Sequence, residues 1–221
     1  MIIAKYILMG CMVMRKNLLR IIVCIVLLAL FIELGYLVKN YETGILFDEY
    51  IMRRVHRNVN QTLVSIMKFF SFLGSTQFYI VISLIVIIYF VKKKNYIGIV
   101  PLIFSNLGTY GANELLKHYY LRTRPLKYFL IEQGGYSFPS GHAMVSFTFY
   151  STLTYLLLWN KPKGTKKTIA WIGNFVLVGL IGFSRIYLGV HWPTDIIGGY
   201  MAGIIIFLMI SFGMETVYKN D

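Results

Sequence analysis

Cysteine and acidic side chains are scarce in this chain. Two cysteines, Cys11 and Cys24, lie in or near the first apolar run, with no CxxC pair and no metal-type spacing. That excludes a disulfide framework or a cysteine-built zinc site. Charged residues are 14% of the 221 residues, against about 25% in an ordinary soluble domain. Internal repeats and low-complexity tracts are also missing, so solenoids and disordered linkers drop out.

What remains is apolar. Hydrophobic residues make up 57% of the chain, more than a soluble core of this length can hide, so a bilayer must cover them. The net charge of +13 comes from short basic clusters between long apolar runs. This is the pattern of membrane flanks, and it argues against a nucleic-acid partner. Lys5, Arg15, Lys16 and Arg20 precede the apolar run 21–32, and no A-x-A-like cleavage site follows. The run therefore reads as a retained signal anchor, with Met14 as a second possible start.

Six segments are long and apolar enough to cross a hydrocarbon core of roughly 30 Å: about 18–38, 74–91, 95–116, 141–159, 168–183 and 196–212. The second and fifth are short and are expected to extend into flanking residues. Backbone groups in lipid must be satisfied internally, so the predicted fold is all-α. It is a six-helix transmembrane bundle forming one integral-membrane domain over residues 1–221. Between spans one and two, apolar stripes at helical spacing predict two short interfacial helices. They are either a lid or side entrance for a lipid, or simple packing on the bundle end. The lysine-dense loops around 92–94 and 161–167 place both termini in the cytoplasm. Size and the lack of extra domains point to a bacterial plasma membrane.

That topology gathers three motifs at the outer face. They are Lys117-x6-Arg124-Pro125 after span three, Pro139-Ser140-Gly141-His142 at the start of span four, and Ser184-Arg185-x5-His191-x3-Asp195 between spans five and six. Singly each has a bland reading: snorkelling cations, a proline helix start, an interfacial histidine, a helix-end hydroxyl at Ser184. Together they form an oxyanion site. Lys117, Arg124 and Arg185 surround a phosphoryl group, and Gly141 lets helix-start N–H groups approach it. Of the two histidines, one must attack phosphorus as neutral imidazole while the other moves protons. Asp195, four residues after His191, can fix that ring's tautomer, which makes His191 the nucleophile and His142 the acid/base.

Glu114 is placed to pair with Lys117. His118 and Arg122, which fill no motif position, read as interfacial or substrate-contacting. Tyr119, Tyr120, Tyr128, Tyr136 and Trp192 read as an aromatic belt. His56 has no constellation around it.

These three motifs resemble the signature of the type 2 phosphatidic acid phosphatase (PAP2) superfamily, K-x6-R-P, P-S-G-H and S-R-x5-H-x3-D, without departure. The resemblance implies a metal-independent, cofactor-free phosphatase that works through a phosphohistidine on His191. His142 then protonates the leaving group, and Ser140 and Gly141 join the three cations on the phosphate. Undecaprenyl diphosphate, phosphatidylglycerophosphate and phosphatidic acid are the candidate lipids. Two alternatives stand beside this one. A lipid phosphotransferase would use the same histidines, and a transporter or scaffold would carry a broken motif or an inverted repeat, neither of which is seen.

Overall fold

In the computed structural model the described residues are 2–39, 41, 43–159, 161, 162 and 164–218, with side chains described from Met14 to Val217. Lys163, Lys219, Met1 and the side chains of Lys5 and Cys11 lie outside them. The described residues form nine α-helices with short 3-10 and π segments, and no strand among them. The helices are α1 (Ile2–Lys39), α2 (Leu46–Val55), α3 (Gln61–Leu73), α4 (Thr76–Lys92), α5 (Ile99–Ile103), α6 (Thr109–Tyr120), α7 (Gly141–Leu157), α8 (Thr165–Tyr187) and α9 (Pro193–Tyr218).

Helix α7 is the axle. Ser146, Thr148, Ser151 and Thr152 are buried along it beside Met144, Phe149 and Leu156. A helix enclosed by protein can carry hydroxyls that a lipid-facing one cannot. Two of their donors turn to backbone: Thr148 Oγ1 donates to the Met144 carbonyl at 2.9 Å and Ser146 Oγ to the Ala143 carbonyl at 3.2 Å. Helix α9 packs most extensively on α7, followed by α8 on α7 and α1 on α9. Close approach of α7 and α9 needs glycine. A Cβ at Gly199 would sit 2.7 Å from the Ser140 carbonyl, and one at Gly203 would sit 2.8 Å from that of Met144. These two, four residues apart, are a small-xxx-small contact.

The outer helices carry the apolar load. Leu18, Ile21, Ile22, Ile25 and Val26 of α1, Ile80, Val81, Leu84, Ile85 and Ile88 of α4, and Ile169, Ile172, Phe175 and Val176 of α8 are all exposed on the isolated chain. A continuous surface of this kind needs lipid around it. Among the described residues three helices are long and apolar enough to cross a membrane, Met14–Lys39, Thr165–Tyr187 and Pro193–Val217. The count is four if Gln61–Leu73 and Thr76–Lys92, bent by 48°, act as one.

Side-chain contacts define the two ends of the bundle. At one, Glu215 near the end of α9 accepts from Lys16 at 2.7 Å, from Arg20 at 2.6 and 2.8 Å and from Tyr155 of α7 at 2.8 Å. At the other, Tyr36 of α1 meets Tyr119 of α6 at 2.8 Å. The three motifs lie at this second end.

Several expected boundaries move. The segment expected at 168–183 extends both ways, to Thr165 and Tyr187, whereas α4 starts only at Thr76 because the chain breaks at Gly74–Ser75. The single helix expected over 95–116 is instead a 3-10 turn, α5, a π segment at Phe104–Gly108 and α6. Helices α2 and α3 occupy the stretch expected to hold two short helices. On α2 one charged position departs from the pattern: Arg53 and Arg54 are exposed and Met52 is buried, but Asp48 is fully buried too. Amphipathic patterning misses this because an ion pair, described below, holds Asp48 inward.

The α7–α9 contact gives a direct test. Gly199→Ala should destabilise the protein by about 1–3 kcal/mol through overpacking, lowering the thermal midpoint in detergent by several degrees. Gly213→Ala, at a glycine with open space beside it, should leave the midpoint unchanged.

Candidate active site

Helix α6 delivers Lys117 and then stops. Leu121 adopts a left-handed conformation (φ 55°) and its N–H closes on the Lys117 carbonyl at 2.9 Å. Lys117 Nζ donates to Glu114 Oε1 at 3.0 Å, the pair expected from their spacing. The turn sends Arg122 inward and starts the loop to α7, where Ser140 caps the helix by accepting from the Ala143 N–H. The first N–H groups of such a helix have no partner within it and favour an anion. A Cβ at Gly141 would come 2.8 Å from Asn113 Oδ1 and 3.8 Å from Lys117 Nζ, so only glycine brings this backbone beside the lysine.

Lys117, Arg124, Gly141, His142, Arg185 and His191 line one cavity of about 790 Å³. Ser140 and Asp195 sit behind its wall, both fully buried, with the Ser140 N–H donating to the Asp195 carbonyl at 3.0 Å. The structure thus brings all eight residues singled out in the sequence to one place. Away from the cations the cavity runs between α4 and the π segment, past Tyr79, Ile80, Leu84, Ile87, Ile103 and Leu107, with Ser83 and Asn106 among them.

His191 is held at both ring nitrogens. Nδ1 lies 3.3 Å from Asp195 Oδ2 and Nε2 lies 3.2 Å from Arg124 Nη1. An arginine only donates, so Nε2 carries the lone pair and Nδ1 the proton. Burial, reinforced by the positive charges of Arg124, Arg185 and Lys117, pushes the His191 pKa well below the ordinary histidine value. The ring is neutral and its lone pair points toward the cations.

Both arginines line the cavity and are also tied to protein groups. Arg124 binds the carbonyls of Gly134, Gly135, Tyr136 and Val190 at 2.7–3.1 Å, lacing the α6–α7 loop to the α8–α9 loop. Burial lowers its pKa to about 10, against the pull of Asp195 and Glu114, so it remains a cation at neutral pH. Arg185 is held by Ser71 of α3 at 2.5 Å and by Gln133 at 2.7 Å, while its Nε has no partner.

Asp195 joins several parts of the site. Oδ1 accepts from Arg122 at 2.6 Å; Oδ2 accepts from the Trp192 N–H at 2.8 Å and, in a short contact, from the Ser137 hydroxyl. Arg122 also reaches Asp48 Oδ2 at 2.6 Å and the Thr194 hydroxyl at 2.7 Å. Asp48 in turn accepts from the Thr194 N–H at 2.9 Å, holding the first turn of α9. The interfacial reading of Arg122 is therefore corrected: it is buried between two carboxylates, beneath the Trp192 ring at 5.6 Å. Trp192 and Tyr120 are likewise buried, Tyr120 between Phe31 and Phe138, so they do not belong to a belt. Tyr119 and Tyr136 are exposed. His118 is exposed at the cavity rim, bonded to the Glu114 carbonyl, and Ser184 donates to the Ile181 carbonyl. His56 packs on Tyr128 and Tyr187, away from the cavity.

Sequence reading missed Asp48, Ser71, Asn113, Gln133, Ser137 and Thr194. Ser71, Asn113, Gln133 and Ser137 contact motif residues through the fold, and Asp48 and Thr194 reach them through Arg122, at no fixed spacing. One signal was available: an acid within an apolar, arginine-flanked stretch of a chain short of acids.

A sequence profile of the PAP2 superfamily matches residues 98–218. Phosphatidylglycerophosphatase B of Bacillus subtilis (strain 168) is 34% identical over 152 residues, covering 67% of this chain and 73% of that protein. The undecaprenyl-diphosphatase of Sulfolobus acidocaldarius is 31% identical over 186 residues, covering 80% and 84%. The crystal structure of a transmembrane PAP2 type phosphatidylglycerolphosphate phosphatase from Bacillus subtilis superposes with a TM-score of 0.80. Its identity is 28%, over 88% of this chain and 96% of that one.

The geometry at His191 has a spectroscopic consequence. At pH 6.5, where an exposed histidine is about half protonated, His191 should remain neutral with its proton on Nδ1. Nitrogen-15 NMR of histidine-labelled protein, assigned by loss of the signal in His191→Ala, should show this; an imidazolium signal from His191 at that pH would contradict it.

Proposed function

The chain belongs to the PAP2 superfamily, and from that premise we propose that it is a membrane lipid phosphatase using His191 as nucleophile, without a metal ion. The observation that carries the reading is the placement of His191: Asp195 behind Nδ1, and Nε2 toward a cavity rimmed by cations. In the first step the Nε2 lone pair attacks phosphorus and the bond to the leaving oxygen breaks. His142 gives that oxygen a proton. In the second step His142 takes a proton from water, the water oxygen attacks the phosphohistidine, and inorganic phosphate leaves. Lys117, Arg185, Arg124 and the first N–H groups of α7 stabilise charge growing on the equatorial oxygens. Ser140 contributes by setting where α7 begins.

The substrate is an amphiphile in this reading. One end of the cavity is cationic and the other is an apolar wall facing the bilayer, which suits a phosphate head on an acyl or prenyl chain. Undecaprenyl diphosphate and phosphatidylglycerophosphate are the leading candidates. We assign six crossings, α1, α4, residues 99–120, α7, α8 and α9, to one integral-membrane domain over residues 1–221. Helices α2 and α3 lie at the interface on the active-site side. The lysines at 92–94 and at 161, 166 and 167 lie at the cytoplasmic end with both termini. The site then faces outward from a plasma membrane.

Protein purified in detergent with excess chelator should release phosphate from phosphatidylglycerophosphate, phosphatidate or a polyprenyl diphosphate in mixed micelles. Complete loss of activity on chelation would overturn the metal-free mechanism. His191→Ala should lower kcat by at least about 10³-fold; a variant with normal turnover removes the nucleophile assignment. Phosphate appearing on an added alcohol in place of water would make the enzyme a phosphotransferase.

A further inference from the structure

The profile match begins at residue 98, so α2 and its buried acid lie outside it. Yet Asp48 is wired to the centre of the site through Arg122 and Thr194. Its Oδ1 also accepts from the Thr194 hydroxyl at 2.9 Å. Asp48, Arg122 and Asp195 are each fully or almost fully buried.

A guanidinium prefers to grip one carboxylate with two parallel hydrogen bonds. If Arg122 did so with Asp195, it would take both oxygens and draw Oδ2 away from His191. Asp48 prevents this by holding Nη2, which leaves Arg122 a single arm, Nη1, on Asp195 Oδ1. We propose that Asp48 is a positioning residue for the nucleophile: by dividing Arg122 and anchoring the first turn of α9, it reserves Asp195 Oδ2 for His191. The proposal rests on His191 acting as nucleophile.

The same arrangement sets the local charge. Asp48, Arg122 and Asp195 together carry one net negative charge behind His191. From the other elements the ring faces Lys117 of α6, Arg124 of the loop, His142 of α7 and Arg185 of α8, with Glu114 beside Lys117. Neutralising Asp48 leaves the trio uncharged and makes His191 harder to protonate.

The test uses full-length protein and dioctanoyl phosphatidate in detergent micelles, comparing wild type, D48N and D48N/R122Q. D48N should lower kcat at least about tenfold with KM within about twofold. Its acid limb of kcat/KM should move to lower pH by about one unit. D48N/R122Q restores one net negative charge and should return the limb to the wild-type pH. Titration of the substrate is common to all variants and cancels. A merely structural role would reduce folded protein and leave the limb in place. If D48N does not fold, R122Q against D48N/R122Q makes the same comparison, the limb falling when Asp48 is neutralised. A limb that stays put on neutralising Asp48 overturns the proposal. Should His191→Ala retain normal turnover, the nucleophile assignment fails instead, so the two failures are distinguishable.

Discussion

The site depends on one carboxylate. Asp195 stands at the start of α9, and four groups meet on it: Arg122 after α6, Ser137 in the following loop, and the Trp192 N–H and the His191 ring just before α9. Its backbone carbonyl adds a fifth, the Ser140 N–H that begins α7. Removing one partner from a buried pair leaves an uncompensated charge, at a cost of about 3–5 kcal/mol. Asp195 therefore orients His191, and it also fixes where two helices start and how two loops lie. In that setting the α7 N–H groups and the His191 lone pair share one cavity.

The membrane sets the other constraint. Lipid-facing helices must be apolar on their outer faces, so polar chemistry is confined to α7, which protein encloses, and to the bundle end where loops carry cations. Glycines at 199 and 203 let α9 approach α7 closely enough to hold the Asp195 carbonyl against Ser140. Arg124 shows how the loops are kept in register, since most of its donors serve carbonyls from both of them. The cations proposed to hold phosphate are also structural ties, and the two roles are not separable by substitution of a single side chain.

Much of this was legible in the sequence because it is written at fixed spacing. A carboxylate four residues after His191, just inside α9, lies beside that ring, and a Ser-Gly step after proline announces the start of α7. Apolar runs gave the helices, though their ends moved wherever a local break intervened, as at Gly74–Ser75 and the π segment. Asp48 and Arg122 were illegible for a physical reason. Amphipathic patterning assigns charged residues to the wet face, and only the folded chain shows that these two neutralise each other inside. Trp192 and Tyr120 went astray similarly: aromatics near a membrane boundary suit a belt as well as a core, and burial decided for the core.

Direct capture of the intermediate tests the central claim. Enzyme mixed with lipid substrate carrying labelled terminal phosphate, quenched with alkali within milliseconds and mapped by mass spectrometry, should carry one phosphoryl group on His191. The bond should be acid-labile and base-stable, as expected of a phosphoramidate. Turnover without any phosphoenzyme, or label on another residue, would contradict the account.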